Sequence, residues 1–224
     1  MQNSSPLTRK YSGLSVFDLD HTLLTVNISY RFGFHLCRSR FFSRWSFYLG
    51  VIDYGRHLYL GMTLTELHQR VFARLFKGHS RRVLEPQAAQ FLQSELPALV
   101  YPAAMHRLKE AKKRGDYILI LSSSPDFLVK PIAKELGATA WNSTIYEEDE
   151  EGILCSITQV MDGEDKADYV EKIALQLGIP LEEISVYSDS HLDLPLLRMV
   201  GKPVGVSPNA ALKKVCRREG WEVI

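Results

Sequence analysis

Apolar residues come along this chain in short unbroken blocks, and particular polar residues close them. Residues 14–17 stop at Asp18, residues 117–121 (YILIL) stop at Ser122, and residues 184–187 run up to Ser188 and Asp189. Apolar blocks of this length predict strands buried on both faces. Between them the polar and apolar positions take helical spacing. Pro102 opens a helix that Gly115 stops, residues 127–136 form another before Gly137, and residues 166–177 a third before Gly178. A helix from about residue 192, a strand at 203–206 and a last helix near 209–218 complete the series. Two β-rich runs within 144–160 flank the acidic EEDEEG and predict a hairpin. Alternating strands and helices predict an α/β fold, a Rossmann-like doubly wound parallel sheet covered on both faces. In such sheets ligands bind beyond the carboxyl ends of the strands. Asp18, Ser122 and Asp189 therefore fall on the rim where chemistry is expected.

Residues 27–100 break this rhythm. They read as an α-helical insert, with a capping-box pattern at Thr63 and Glu66 ahead of a helix over 63–77. The expected organisation is a core of residues 1–26 plus 101–224 and an inserted unit of residues 27–100. The insert also differs in charge. Between Asn27 and Arg82 ten Lys and Arg face two acids, Asp53 and Glu66, so the local balance is +8 in a chain whose net charge is +1. Ten of the 23 aromatic residues fall between Tyr30 and Tyr59, interleaved with Arg38, Arg40, Arg44 and Arg56. A narrow polar stripe over 40–60, including Asp53 and His57, leaves a wide apolar face. That face packs within the insert and onto the core, or it serves a lipid-like phosphate or an anionic membrane surface. The arginines are spread along several helices as on an ordinary solvated face, so no nucleic-acid partner is expected.

Three cysteines without metal-ligand spacing, Cys37, Cys155 and Cys216, point to a reduced, cytoplasmic protein. The polar N-terminal MQNSSPLTRKYSG does not read as a signal peptide, and no apolar run is long enough to span a membrane.

The chemistry concentrates in VFDLDHTLL, residues 16–24, where two carboxylates interrupt an apolar run. Asp18, Asp20 and Thr22, then Ser122, Lys166, Asp189 and Asp193, are all expected on one rim. Four carboxylates at one place need positive charge. A hard divalent cation supplies it, and Mg²⁺ suits a few carboxylates with water and a substrate phosphate. Phosphoryl transfer through an aspartyl-phosphate fits this set. Taken singly, each residue is as well explained by a turn, a cap or a solvated lysine; their conjunction in this order is not.

That conjunction resembles the haloacid dehalogenase superfamily, in its phosphoserine-phosphatase-like branch. Asp18-Leu-Asp20-His-Thr22 resembles its first motif, Ser122 the second, Lys166 the third, and Asp189-Ser-His-Leu-Asp193 the fourth. The resemblance spans nearly the whole chain and makes the insert a helical cap. It implies Asp18 as nucleophile and Asp20 as general acid and then base. It also implies Mg²⁺ held by Asp18, the Asp20 carbonyl and Asp189, with Asp193 in support. Lys166, Ser122, Ser123 and Thr22 are implied on the phosphate of a small phosphate monoester. Four departures from the branch stand out, three of them around the phosphate: Ser188 stands for a glycine, Leu192 for an asparagine, and Ser123-Ser124 for a glycine pair. Asn27 stands for a glutamate that pairs with the substrate ammonium, so Asn27 is a specificity position and phosphoserine is disfavoured. Alternatives remain: phosphoserine hydrolysis after all, transfer to an alcohol acceptor, or a non-catalytic binding protein on the same fold.

Overall fold

The computed structural model describes residues 9–224. The polar N-terminal stretch lies mostly outside the described residues. Seven strands form one sheet, β1 (Leu14–Asp18), β2 (Tyr117–Pro125), β3 (Ala140–Glu148), β4 (Leu154–Gln159), β5 (Ser185–Ser188), β6 (Lys202–Gly205) and β7 (Glu222–Val223). Their order is β4-β3-β2-β1-β5-β6-β7, and only the β3–β4 hairpin is antiparallel. The chain builds outward from β1 on one side and returns through β5 on the other. The sheet therefore reverses direction of growth beside β1, where doubly wound sheets bind ligands.

The apolar blocks split their side chains between two cores, as a strand period of two requires. Phe17, Ile118, Ile120 and Tyr187 face α5 (Pro102–Arg114) and α6 (Asp126–Glu135), with Phe17 stacked on Tyr187 at 4.4 Å. Leu14, Val16, Leu119, Leu121 and Val186 face α7 (Gly163–Leu177), α8 (Leu194–Met199) and α9 (Ala210–Glu219). The predicted stops hold: Gly115 takes φ 80°, the left-handed geometry a β-carbon disfavours. The helix expected from about residue 192 begins with a tighter turn, His191–Asp193, before α8. The two-residue β7 had no pattern long enough to read.

Between β1 and α5 lie α1 (Ile28–Arg38), α2 (Arg44–Tyr59), α3 (Leu64–Val71) and α4 (Arg81–Leu99). Chain exit and return run side by side: Leu24 bridges Val100, Thr25 N donates to Leu99 O at 2.8 Å, and Tyr101 N to Leu23 O at 2.8 Å. Both hydrogen bonds of the Thr63–Glu66 capping box form. The helix it opens does not run regularly to residue 77, however. After Val71 it widens into one turn, Phe72–Phe76, closed by Lys77 N on Phe72 O. That widening belongs to an aromatic layer in which Phe76 packs on Phe127 at 5.9 Å and on Tyr146 at 5.5 Å. A second tie comes from the segment before α4, where Gly78 N donates to Leu154 O and Leu154 N to His79 O, each at 2.9 Å. Arg81 adds ion pairs to Asp126 at 2.7 Å and Glu148 at 3.1 Å.

Asp53 corrects the reading of α2. It was expected on the polar stripe but is buried, held by Arg74 at 2.6 Å and Arg56 at 3.8 Å. Helix α2 is instead apolar on two sides: Phe47 and Val51 face inward, while Trp45, Tyr48, Ile52 and Tyr59 are exposed. Among the described residues no helix is long and apolar enough to cross a membrane.

Candidate active site

Register fixes the site. Asp18 pairs with Leu121 and Phe17 with Tyr187, so Asp18 and Ser188, which end β1 and β5, lie level with the Leu121–Ser122 step of β2, whose strand runs on to Pro125. Beyond Asp18 the chain cannot continue as strand. Asp20 stays extended (φ −71°, ψ 129°), His21 turns left-handed (φ 58°), and Leu24 N closes the turn on Leu19 O at 2.9 Å. The two aspartates are thereby sent to different partners.

Asp18 meets Lys166, whose Nζ donates to Oδ1 at 2.6 Å. The same ammonium reaches both oxygens of Asp193, at 2.9 and 3.1 Å. Lys166 lies in the first turn of α7, which Asp162 caps through Glu164 N and Asp165 N. Gly163 allows that turn to press on the following loop, since a β-carbon there would sit 1.9 Å from Leu192 O. Ser188, the departure from glycine, donates to Asp193 Oδ2 at 2.6 Å and accepts Ser190 N at 3.1 Å. It adds a second donor to a carboxylate that is nearly fully buried.

Asp20 takes a separate set of donors. Ile28 N binds Oδ1 at 2.6 Å, and Ser124 and Ser122 bind Oδ2 at 2.6 and 3.3 Å. Ser29 Oγ lies 2.7 Å from Ser124 Oγ, which extends the chain of hydroxyls into the first turn of α1. Thr22 is fully buried and does not line the cavity. Its hydroxyl accepts Asp189 N at 3.0 Å and reaches Asp189 Oδ1 at 3.5 Å, so it orients Asp189. Asn27, expected to face a leaving group, does line the cavity, yet its Oδ1 caps α1 by accepting Tyr30 N at 2.9 Å.

Four carboxylates thus share the rim with one ammonium that pairs with two of them, and burial makes the imbalance costly. Burial pushes Asp18 well above the ordinary range against the pull of Lys166, with Asp193 and Asp189 adding to the rise. Asp189 is pushed up to about 6, by burial first and Asp193 next, against the pull of His21. Burial also raises Asp20, against its hydrogen bonds from Ile28 N and Ser124. Burial works against the charge of Lys166, but Asp18 and Asp193 outweigh it and hold the ammonium firmly protonated. Carboxylates forced upward in this way are oxygen donors in need of a cation, and Asp18 with Asp189 could hold a hard one.

The site floors a cavity of about 500 Å³ that opens beneath the helical insert. Asp18, Asp20, Ser123, Lys166, Asp189 and Asp193 line it; Ser122 lies beneath, fully buried. Sequence reasoning missed Ser29, Ser124 and the orienting role of Ser188. The departures at Ser124 and Ser188 were the only signals, and Ser29 carried none.

A model of haloacid dehalogenase-like hydrolases matches residues 15–198. A phosphoserine phosphatase of Mycobacterium tuberculosis is 32% identical over 111 residues, 49% of this chain and 36% of that protein. This chain therefore aligns with little more than a third of that relative. A histidinol-phosphatase of Neisseria meningitidis is 25% identical over 226 residues, 94% of this chain and 97% of the other. In fold, a protein of unknown function from Bordetella pertussis superposes with a TM-score of 0.84 over 94% of this chain and 97% of its own, at 24% identity. With the motif positions gathered at one sheet rim and the family match covering most of the chain, this enzyme belongs to the haloacid dehalogenase-like hydrolases.

Proposed function

We propose that the protein is a Mg²⁺-dependent phosphomonoester hydrolase that works through an aspartyl-phosphate on Asp18, with residues 27–100 as a cap over a core of residues 1–26 and 101–224. The observation that carries this reading is the single ammonium of Lys166 set between Asp18 and Asp193, with Asp20 held apart on its own donors. An oxygen of Asp18 attacks phosphorus and the bond from phosphorus to the leaving oxygen breaks. Asp20, whose raised carboxyl suits a proton donor, protonates that oxygen. Asp20 then accepts a proton from water as the water attacks phosphorus, which releases phosphate and restores Asp18. Lys166 and Ser123 steady the phosphoryl oxygens, and Ser122 supports them from below.

The residues present fit a cation. The donors are hard oxygens, their charge exceeds what Lys166 balances, and Mg²⁺ fills its shell with water and substrate oxygens. It therefore does not need three of His, Cys, Asp and Glu converged beforehand, and among the described residues none are. Asp18, the Asp20 carbonyl and Asp189 would hold it, with Asp193 in support. When bound, it would neutralise the approaching phosphate and polarise it. The three free cysteines agree with a cytoplasmic setting.

Turnover of p-nitrophenyl phosphate tests the reading directly. Activity is expected with Mg²⁺, and loss after exhaustive EDTA treatment with recovery on Mg²⁺ addition. Full activity without metal would overturn the metal assignment, and no turnover in any condition would overturn the phosphatase. A finer test concerns Ser124. Loss of one hydrogen bond to the Asp20 carboxylate costs on the order of 1.5–3 kcal/mol, so Ser124→Ala should lower kcat by roughly 10- to 100-fold. An unchanged kcat would mean that Asp20 needs no such support.

A further inference from the structure

The cavity is larger than its catalytic floor requires, and its two ends differ in chemistry. Every side chain of Asp or Lys that lines it belongs to the phosphate end: Asp18, Asp20, Asp162, Lys166, Asp189 and Asp193. Away from that end no Asp, Glu, Lys or Arg lines the wall. Phe47, Val51, Leu67, Val71, Leu75 and Phe76 form it, from α2, α3 and the widened turn that follows. The polar groups set among them are tyrosine hydroxyls, chiefly Tyr30 and Tyr54, and the imidazoles of His57 and His68. Burial and the neighbouring His57 hold His68 down at about 4, so it adds no charge at neutral pH. His57 Nδ1 is already engaged with Met62 O at 2.7 Å. Two glycines keep the chamber open. Gly33 lets Phe47 lie close, since a β-carbon there would come within 2.9 Å of its ring, and Gly50 faces Leu75 with the nearest atom 3.9 Å from a β-carbon.

We propose that this chamber receives the leaving group, and that the natural substrates are phosphate monoesters of alcohols carrying a bulky, neutral, apolar moiety. The proposal rests on the phosphatase reading above. A volume of about 500 Å³ lies within the range of pockets that enclose whole organic ligands, far more than a three-carbon amino acid fills. An amino-acid leaving group would bring an ammonium and a carboxylate into a wall that has no charged side chain to meet either. The position where the branch carries a glutamate holds Asn27, and its acceptor oxygen is spent on capping α1. An alkyl chain or an aromatic ring, by contrast, exchanges water for apolar side chains and gains with each carbon buried. Ring and chain share this chemistry, and the assay separates them.

The test measures kcat/KM with Mg²⁺ for ethyl, butyl, octyl and phenyl phosphate, phosphoserine and histidinol phosphate, with p-nitrophenyl phosphate as the check on catalysis itself. Each buried methylene is expected to raise kcat/KM about fourfold, giving about sixteenfold from ethyl to butyl phosphate. Phosphoserine and histidinol phosphate are expected at least tenfold below butyl phosphate. A higher value for phenyl than for octyl phosphate assigns an aryl group, and the reverse an alkyl chain. Gly50→Leu, which places a side chain in the chamber at a helical position that tolerates one, should reduce the butyl-to-ethyl ratio at least threefold. Turnover of p-nitrophenyl phosphate with a flat chain-length series, or with either amino-bearing ester preferred, would overturn the chamber assignment and leave the phosphatase standing. No hydrolysis of any ester would overturn both. Should Gly50→Leu fail to fold, the wild-type series decides alone.

Discussion

Asp18→Asn is expected to lower kcat by at least ~10³-fold while leaving the protein folded, the scale of loss when a member of a catalytic unit is removed. The amide keeps the shape of the carboxylate but cannot form the phosphoryl bond. Stability should hold, because the substitution removes one charge from a crowded set and Lys166 keeps its contacts with Asp193 at 2.9 and 3.1 Å. Urea denaturation alongside steady-state kinetics separates the two effects. A tenth or more of wild-type turnover in a verified Asp18→Asn preparation would exclude covalent catalysis at this position.

Lys166→Met should be the most destabilising of the site substitutions. The thioether fills much the same space, so packing survives, but Asp18 and Asp193 lose their shared cation. Breaking a buried ion pair from one side costs on the order of 3–5 kcal/mol, because a charge is left in a low-dielectric interior. Burial already raises the Asp18 carboxyl against the pull of Lys166, so without the cation it holds its proton more tightly in the folded protein than in the unfolded chain. The deficit is then greatest above the folded-state range of Asp18 and shrinks as pH falls through it and the carboxyl protonates. Urea midpoints in EDTA across a pH series would show this. Adding Asp193→Asn to Lys166→Met should recover part of the loss. A cost under ~1 kcal/mol at neutral pH, or no recovery in the double variant, would mean that Lys166 does not carry the electrostatic balance of the site.

Much of this site could be read from the chain because strands announce their own ends. Asp18, Ser122 and Asp189 each stand at or just past the close of an apolar block, and parallel register brings such positions to one level, although β2 itself runs on to Pro125. Lys166 was legible for a related reason, as the first cation in a helix that leads back to that rim. Which way a side chain turns after the strand ends was not legible. Thr22 swings to Asp189 because His21 takes a left-handed turn, and no apolar period encodes that. Ser124 and Ser29 meet only when α1 docks over β2, a contact between residues 95 positions apart. Asp53 looked solvated because its cation, Arg74, stands on a different element. The apolar chamber was foreshadowed by the aromatic richness of residues 27–60, but composition does not distinguish a packed interior from a lined cavity.

The bridge from Leu24 to Val100 also bears on how such an enzyme can be rebuilt. Because the chain leaves and rejoins the core through paired backbone, the covalent ends of the 27–100 segment are neighbours, and a short loop could join them without moving β1 or α5. In covalent terms the segment is transplantable. Its side chains are not, since Phe127 and Tyr146 on the core share an aromatic layer with Phe32 and Phe76 on the segment. Grafting a different helical segment onto this core therefore becomes a problem of matching two aromatic residues, the Arg81 partners Asp126 and Glu148, the backbone pairing at Leu154 and the donors that Ile28 and Ser29 bring to Asp20 and Ser124, while the exit and return at Leu24 and Val100 need no redesign.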